Sequence, residues 1–487
     1  MKRLSPLFGA PALALFGALS LLLVAQDAWA ASNVADAIKL PDDPTKAYFT
    51  LGILAIAVVM FFTECVPLAC TAILVPVALS LTGIFGWFGS DATIKECLKN
   101  SVLTSKEAFA NWGNPTVILF MAMFIVGEAT FVTGFADKVG ALAMKLSKGK
   151  ERLLLLFSML SVGLLSTVLS DTGTAAVALP MVLAMCMKTN IAPAKILLPM
   201  ACASSLGGTV TLVGTPPNGI TNAMLESNHV LPFSFFEFGK IGIPLLIAGL
   251  LYYYFIGHRL LPGDRRTDED DAALAADNMP RRSNKMFVAI GIFAFVVLMM
   301  ATEILPLSTA AMLGAALVVA SGCLTMKEAY RAVDWNTIFL FAGMLSMSTA
   351  MDGKHSGAAA IVAHAVVSLV DNPWMLQLAC CALTAILTNF MSNTATAALM
   401  APLAITIAHA TGVSPLPLAM GICACASTCF LTPIATPANT IVFGPGKYKF
   451  LDYARAGWPL QLITLLMCWL LVPLIWPFGA PVPAVNP

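Results

Sequence analysis

The sequence predicts an all-α polytopic membrane protein. It reads as two inverted-topology repeats, each with a re-entrant helical hairpin and an unwound transmembrane helix. Three observations predict this. Of 487 residues, 59% are hydrophobic and only 11% charged, against about 25% charged in soluble globular chains. The apolar residues fall in runs such as 48–62, 68–88, 287–300 and 305–319, near the ~20 residues that cross a bilayer as helix. Landmarks in the first half also recur, in the same order, in the second.

At the N-terminus, Lys2 and Arg3 precede an apolar run over 7–24, followed by Ala28-Trp29-Ala30. Residues 1–30 therefore read as a cleaved signal peptide or a first transmembrane helix, and both readings put residue 31 outside the cytoplasm. Helices are expected near 47–64, 66–88, 114–131, 194–226 and 238–257, with equivalents near 286–302, 305–323, 336–351, 414–443 and 454–474. Segments 153–186 and 374–409 enter and return on one side. With the N-terminal segment, this makes about 11 transmembrane segments. The stretch 131–150, with Asp137, Lys138, Lys145, Lys148 and Lys150 on an apolar background, reads as an amphipathic helix at the inner surface, with an ordinary loop as the alternative.

The duplication is explicit. Thr63-Glu64-Cys65-Val66-Pro67-Leu68 matches Thr302-Glu303-Ile304-Leu305-Pro306-Leu307, and Asn111-Trp112 matches Asp334-Trp335. The segment 233–244 matches 448–459. The repeats are placed at 47–258 and 286–474, joined by a polar cytoplasmic linker over 259–285. With residue 31 outside, 20 of the 27 Lys and Arg fall on the cytoplasmic side, as the positive-inside rule requires. Five crossings per repeat is an odd number, so the second repeat enters from the opposite side, an arrangement typical of secondary transporters.

Two signatures carry the chemistry. Ser170-Asp171-Thr172 returns as Ser392-Asn393-Thr394, and Thr215-Pro216-Pro217-Asn218 returns as Thr436-Pro437-Ala438-Asn439. Ser170 to Thr215 is 45 residues and Ser392 to Thr436 is 44. Prolines interrupt helices, and a broken helix leaves carbonyls on one side of the gap and N–H groups on the other. Carbonyls with Ser and Thr hydroxyls suit a hard cation such as Na⁺. N–H ends, Asn amides and hydroxyls suit an anion, helped by helix dipoles. One such motif alone is matched by Ser or Thr bonding its own backbone, but two motifs, each duplicated at one spacing, point to a shared binding site.

On these residues the chain resembles the divalent-anion/sodium symporters, which carry dicarboxylates, citrate or sulfate. The resemblance runs from about residue 47 to 473. It implies sodium-coupled symport across the inner or plasma membrane by a homodimer, with an elevator-like transport domain moving against a scaffold. It implies a first Na⁺ site at Ser166, Ser170, Asp171 and Gly214, and a second at Thr388, Ser392, Asn393 and Ala435. The anion would lie between Thr172, Thr215, Asn393, Thr394 and Thr436, with Pro437 nearby. The chain departs from the family pattern at Asp171, where Asn is usual, and at Ala438, where a second proline is usual. An intramembrane carboxylate is a functional candidate. Asp171 either binds cation more tightly or carries a proton, or it is a neutralised side chain in the ordinary role.

Other functions fit less well. Net charge is +1, so no nucleic-acid partner is implied, and a Walker A loop is missing from the sequence. The expected partners are a small anionic substrate and membrane lipid, with Na⁺ as coupling ion and no organic cofactor. Cys423, Cys425 and Cys429 suggest a redox or metal site, but no His or carboxylate accompanies them, and packing of small, soft residues is the plainer reading. Glu64 and Glu303 read as interfacial, and His364 and His409 as packed. A proton-driven or exchange carrier for citrate or another oxyanion is the alternative on the same scaffold. A membrane-embedded enzyme or redox subunit would need clustered ligands.

Overall fold

The structure is a computed structural model of the whole chain. It describes residue 41 and residues 44–63, 66–86, 94–135, 138, 145–147, 149–263, 283–302, 304–352, 354–358, 360–361, 372–433 and 436–480. Residues 1–30, most of the linker, most of the 136–148 stretch, Glu64, Glu303, His364 and Ala435 lie outside the described residues.

The described residues are helical, with no strand among them. The first repeat contains α1 (Thr45–Thr63), α2 (Leu68–Leu81), α3 (Ile94–Leu98), α4 (Ser105–Ala110) and α5 (Pro115–Val132), then α6 (Glu151–Ser166), α7 (Asp171–Thr189), α8 (Leu197–Gly208), α9 (Pro216–Ser227) and α10 (Gly239–Phe255). The second contains α11 (Met286–Ala301), α12 (Leu307–Ala320), α13 (Met326–Ala332), α14 (Trp335–Met351) and α15 (Pro373–Leu387), then α16 (Asn393–Thr411), α17 (Pro415–Ser427), α18 (Pro437–Phe443) and α19 (Phe450–Ile475). The expected spans 194–226 and 414–443 are each observed as two helices, α8 with α9 and α17 with α18, with turns and bends over 209–215 and non-helical backbone at the described residues 428–433 and 436.

Local chemistry sets the same boundaries in both halves. Capping boxes start α4 (Thr104 with Glu107) and α13 (Thr325 with Glu328), each satisfying two orphan donors. Pro sits in the first turn of α9 and of α18, where its missing N–H is no loss. The outgoing hairpin arms α7 and α16 both stop on a left-handed residue, Asn190 (φ 52°) and Gly412 (φ 70°), two residue types that tolerate that conformation.

Two bundles result. In one, α1 packs on α2 and α11 on α12, while α2 packs on α14 and α12 on α5. In the other, hairpin α6–α7 packs on α8, hairpin α15–α16 packs on α17, and α10 meets α19. The contact of α9 with α16 recurs as α18 with α7, and that of α8 with α18 as α17 with α9. Each contact returns with the halves exchanged, the mark of a pseudo-two-fold axis. Close approach depends on small residues. A Cβ on Gly242 of α10 would strike the Thr209 carbonyl, and one on Gly457 of α19 would strike the Phe430 carbonyl. These glycines let α10 and α19 lie directly against the two helix breaks.

Several bonds join positions that the charge bias places on one side. Lys195 pairs with Glu151 at 2.8 Å, tying the start of α6 to the turn that leads into α8. The Tyr448 hydroxyl donates to the Ala194 carbonyl (2.6 Å) and accepts from Leu198 N–H (2.8 Å). Trp476 Nε1 donates to Glu237 at 2.9 Å, and these two lie on the expected outer side. The cysteines act as packing residues: Cys423 Sγ donates to Asn218 Oδ1 and Cys429 Sγ to Asn389 Oδ1. Among the described residues no cluster of His, Cys, Asp and Glu has metal-binding geometry.

Candidate functional site

Each helix break is stitched by the asparagine that ends its motif. Asn218 Nδ2 donates to the Gly208 carbonyl (3.1 Å) and the Thr211 carbonyl (2.6 Å). Asn439 Nδ2 donates to the Cys429 and Thr432 carbonyls, both at 3.1 Å. Both side chains are fully buried. These two amides satisfy carbonyls of their own breaks and are not available to an anion. A second stitch ties each break to its hairpin. Thr211 Oγ1 donates to the Thr167 carbonyl, and Thr432 Oγ1 to the Asn389 carbonyl at 2.8 Å.

The hairpin tips are built alike. Ser170 Oγ caps α7 by accepting from Gly173 N–H, and Ser392 Oγ caps α16 by accepting from Ala395 N–H. Four residues earlier, Ser166 Oγ donates to the Ser204 carbonyl (2.6 Å) and Thr388 Oγ1 to the Ala426 carbonyl (2.6 Å). Asp171 N–H donates to the Gly214 carbonyl at 3.1 Å. Ser204 Oγ donates to the Asp171 carbonyl at 2.5 Å. A Cβ on Gly214 would lie 2.5 Å from the Gly208 oxygen and 2.9 Å from the Ser166 oxygen, so carbonyl oxygens crowd this point. The donor set behind the first tip is thus hydroxyl and carbonyl oxygen with one carboxylate, which fits a hard cation.

In front of the tips lies a cavity of about 150 Å³. Its wall includes Asp171, Thr172, Thr215 and Pro216 from the first repeat, and Ser392, Asn393, Thr394, Thr436 and Pro437 from the second. All six residues expected at the anion are therefore in one wall. Ser166, Ser170, Gly214 and Thr388 are not part of that wall, and Ser166 and Thr388 are buried. Ala435 lies outside the described residues.

The wall is completed by residues that the sequence reading did not single out for this role: Asp334, Asn336 and Thr337 at the start of α14, with Leu68 and Leu340. Asp334 caps α14, with Oδ1 accepting from Asn336 N–H (3.1 Å) and Oδ2 accepting from the Thr337 hydroxyl (2.5 Å). Ser204 was also missed. The available signal was Asp334-Trp335, a recognised landmark of the repeat and an acidic cap ahead of an apolar run.

The electrostatics follow from the helix ends. Among the described residues five helix N-termini meet at the cavity: α7, α9, α14, α16 and α18. Each carries roughly +0.5 of a charge, about +2.5 together. No basic side chain lines the wall, and two carboxylates do. The two repeats differ at this point. Asp171 Oδ1 accepts from Thr172 N–H (2.7 Å) and Oδ2 from the Thr215 hydroxyl (3.1 Å). The Asn393 side chain instead lies 2.8 Å from the Thr388 hydroxyl, leaving the Thr436 hydroxyl to cap α18.

Comparison with known proteins agrees with this architecture. The CitMHS family, described as citrate transporter, matches residues 58–408 and 353–484. An uncharacterized transporter of Haemophilus influenzae is 30% identical, over 88% of this chain and 91% of its own. The sodium-dependent dicarboxylate transporter SdcS of Staphylococcus aureus is 25% identical, over 90% of this chain and 87% of its own. Among solved structures, the antimetabolite efflux pump MtrF of Neisseria gonorrhoeae superposes with a TM-score of 0.59 at 14% identity, covering 88% of this chain and 98% of that one. The likeness to MtrF is one of fold. The chain is a multi-span membrane transporter rather than an enzyme, and it belongs to the CitMHS citrate transporter family.

Proposed function

We propose that the protein is a sodium-coupled symporter of a small divalent anion, a dicarboxylate or sulfate, in the inner or plasma membrane. The observation that carries this reading is the single cavity whose wall contains both hairpin tips and both helix breaks. Thr172, Thr215, Asn393, Thr394 and Thr436 would bind the anion through hydroxyls, amide and helix N–H groups, with Pro437 shaping the wall. Na⁺ would sit behind each tip, on Ser166, Ser170, Asp171 and Gly214 in one repeat and on Thr388, Ser392, Asn393 and Ala435 in the other.

The charge balance supports cation coupling. With Asp171 and Asp334 ionised, about +2.5 from five helix ends leaves the empty cavity near +0.5. A dianion would bring it to about −1.5, so one or two cations must enter with it. Four of the five helix ends belong to the bundle of α6–α10 and α15–α19, and only α14 belongs to the other. The anion would therefore travel with the first of these bundles and leave Asp334 behind, an elevator-type step. On this reading 47–258 and 286–474 are the inverted repeats, 259–285 links them, and the molecule is a homodimer.

The two wall carboxylates favour one second reading, a proton-coupled or exchange carrier for citrate or another oxyanion. Uptake of labelled succinate, citrate and sulfate into proteoliposomes, under separate Na⁺ and pH gradients, tests both readings. Sodium-driven uptake of one of these anions supports the first reading, and uptake driven by pH alone selects the second. Uptake of none of them under either gradient refutes the assignment.

A further inference from the structure

A second cavity, larger than the one at the hairpin tips, lies elsewhere among the described residues. It is a groove of about 760 Å³ along the seam between the two bundles. One wall is α6 from Phe157 with the following residues Val168 and Leu169, and the other is α11 from Ile290 to Ala301. Thr130, Phe135, Leu146 and Phe236 complete the lining.

Water has little to hold it there. The volume would take roughly 25 waters at ~30 Å³ each, and each buried water needs two to four polar partners. The only hydroxyls in the described wall are those of Thr130 and Ser161, and Thr130 already donates to the Gly127 carbonyl at 2.8 Å. The length is also informative. Ile290 to Ala301 spans about 17 Å at ~1.5 Å per residue, close to half of a ~30 Å hydrocarbon core. The groove follows most of the length of α11, enough to take an acyl chain lengthwise.

The mouth carries positive charge. Lys138 Nζ sits 5.2 Å from the centroid of the Phe287 ring, one turn before Ile290 on α11. Lys145 precedes the wall residue Leu146, and Lys150 and Arg152 begin α6; all four basic residues are exposed. The one acidic neighbour on this edge with a described partner, Glu151, is already paired with Lys195.

We propose that the groove is a binding site for an anionic phospholipid, with an acyl chain between α6 and α11 and the phosphate held by Lys138 and Lys145. The chain would fill the seam that the two bundles must slide along, so this lipid is a structural part of the moving interface. The inference does not depend on which anion or coupling ion is carried.

The test is lipid retention by the full-length protein, extracted in mild detergent and analysed by native mass spectrometry. It is then exchanged into nanodiscs of phosphatidylglycerol or phosphatidylcholine. Ala294→Trp fills the groove from α11. Val288→Trp places the same bulk on the same helix at an exposed position outside the groove wall. Lys138→Gln with Lys145→Gln removes the headgroup contacts without touching the wall. Wild type and Val288→Trp should retain a phospholipid and prefer phosphatidylglycerol. Ala294→Trp should lose retention at least tenfold, and the double lysine variant should keep lipid but lose the preference. Wild-type protein that retains no phospholipid overturns the proposal, whether a second copy or the apolar 7–24 segment takes its place. So does an unchanged headgroup preference in the lysine variant, which is readable even if Ala294→Trp fails to fold.

Discussion

Replacing Asp171 by Asn separates electrostatics from architecture at the point where the two repeats differ. Asn keeps one acceptor oxygen, and Ser170 still caps the helix, so the bond from Thr172 N–H survives. The bond with the Thr215 hydroxyl becomes neutral. A hydrogen bond to a charged group contributes about 1.5–3 kcal/mol and a neutral one about 0.5–1.5, so the structural loss is about 1 kcal/mol. The electrostatic loss is larger. A carboxylate ~4 Å from a bound cation contributes about 4 kcal/mol at an effective dielectric constant of ~20, and 1.4 kcal/mol is tenfold. The variant should therefore fold, with a slightly lower melting temperature, while its apparent Na⁺ affinity falls by more than tenfold and by as much as ~10³-fold. The assay is anion-dependent thermal stabilisation of purified protein titrated with Na⁺ at fixed pH, then repeated across pH. An unchanged Na⁺ midpoint together with unchanged pH dependence would refute the role given to this carboxylate.

Three further outcomes follow from the same geometry. Asn218→Ala strands the Gly208 and Thr211 carbonyls, at about 1–3 kcal/mol each, so about 2–6 kcal/mol of stability should be lost; Asn439→Ala should behave alike, and a melting temperature unchanged in both would show that the stitches contribute nothing. Gly214→Ala would put a Cβ 2.5 Å from the Gly208 oxygen, so Na⁺ affinity should fall at least tenfold in protein that still elutes as a single species; wild-type affinity would remove Gly214 from the cation site. Asp334→Asn keeps the cap of α14 and removes one negative charge from the anion cavity, so anion KM at saturating Na⁺ should fall several-fold, up to about tenfold because Asp334 is exposed and screened; a raised KM would mean that Asp334 binds the coupling cation.

Much of this was readable before any coordinates. The repeated spacing of the two motifs located both hairpin tips and both breaks, because small polar residues beside prolines are costly in a membrane unless they line a cavity. Helices such as α5, α11 and α14 begin within a residue or two of their expected starts, since long apolar runs leave little choice. The short helices α4 and α13 went unread, although both carry Thr-x-x-Glu capping boxes 221 positions apart. Asn218 and Asn439 received no role of their own, because a motif shows residue type and not what the side chain faces. Asp334, Asn336 and Thr337 reach the cavity only because α14 packs on α16 and α9. That is long-range packing, which spacing along the chain does not encode. Ser204 escaped for the same reason: its hydroxyl matters through the hairpin it faces across 33 residues.

The central claim is that two carboxylates and five helix ends make a site that accepts a dianion only together with cations. The direct measurement is the dissociation constant of the transported anion by calorimetry, with and without Na⁺, at several pH values. The account predicts binding at least tenfold weaker without Na⁺ at neutral pH, with recovery on adding Na⁺ or, if a carboxylate takes a proton, on acidification. Equal affinity in Na⁺-free buffer across the whole pH range would contradict it.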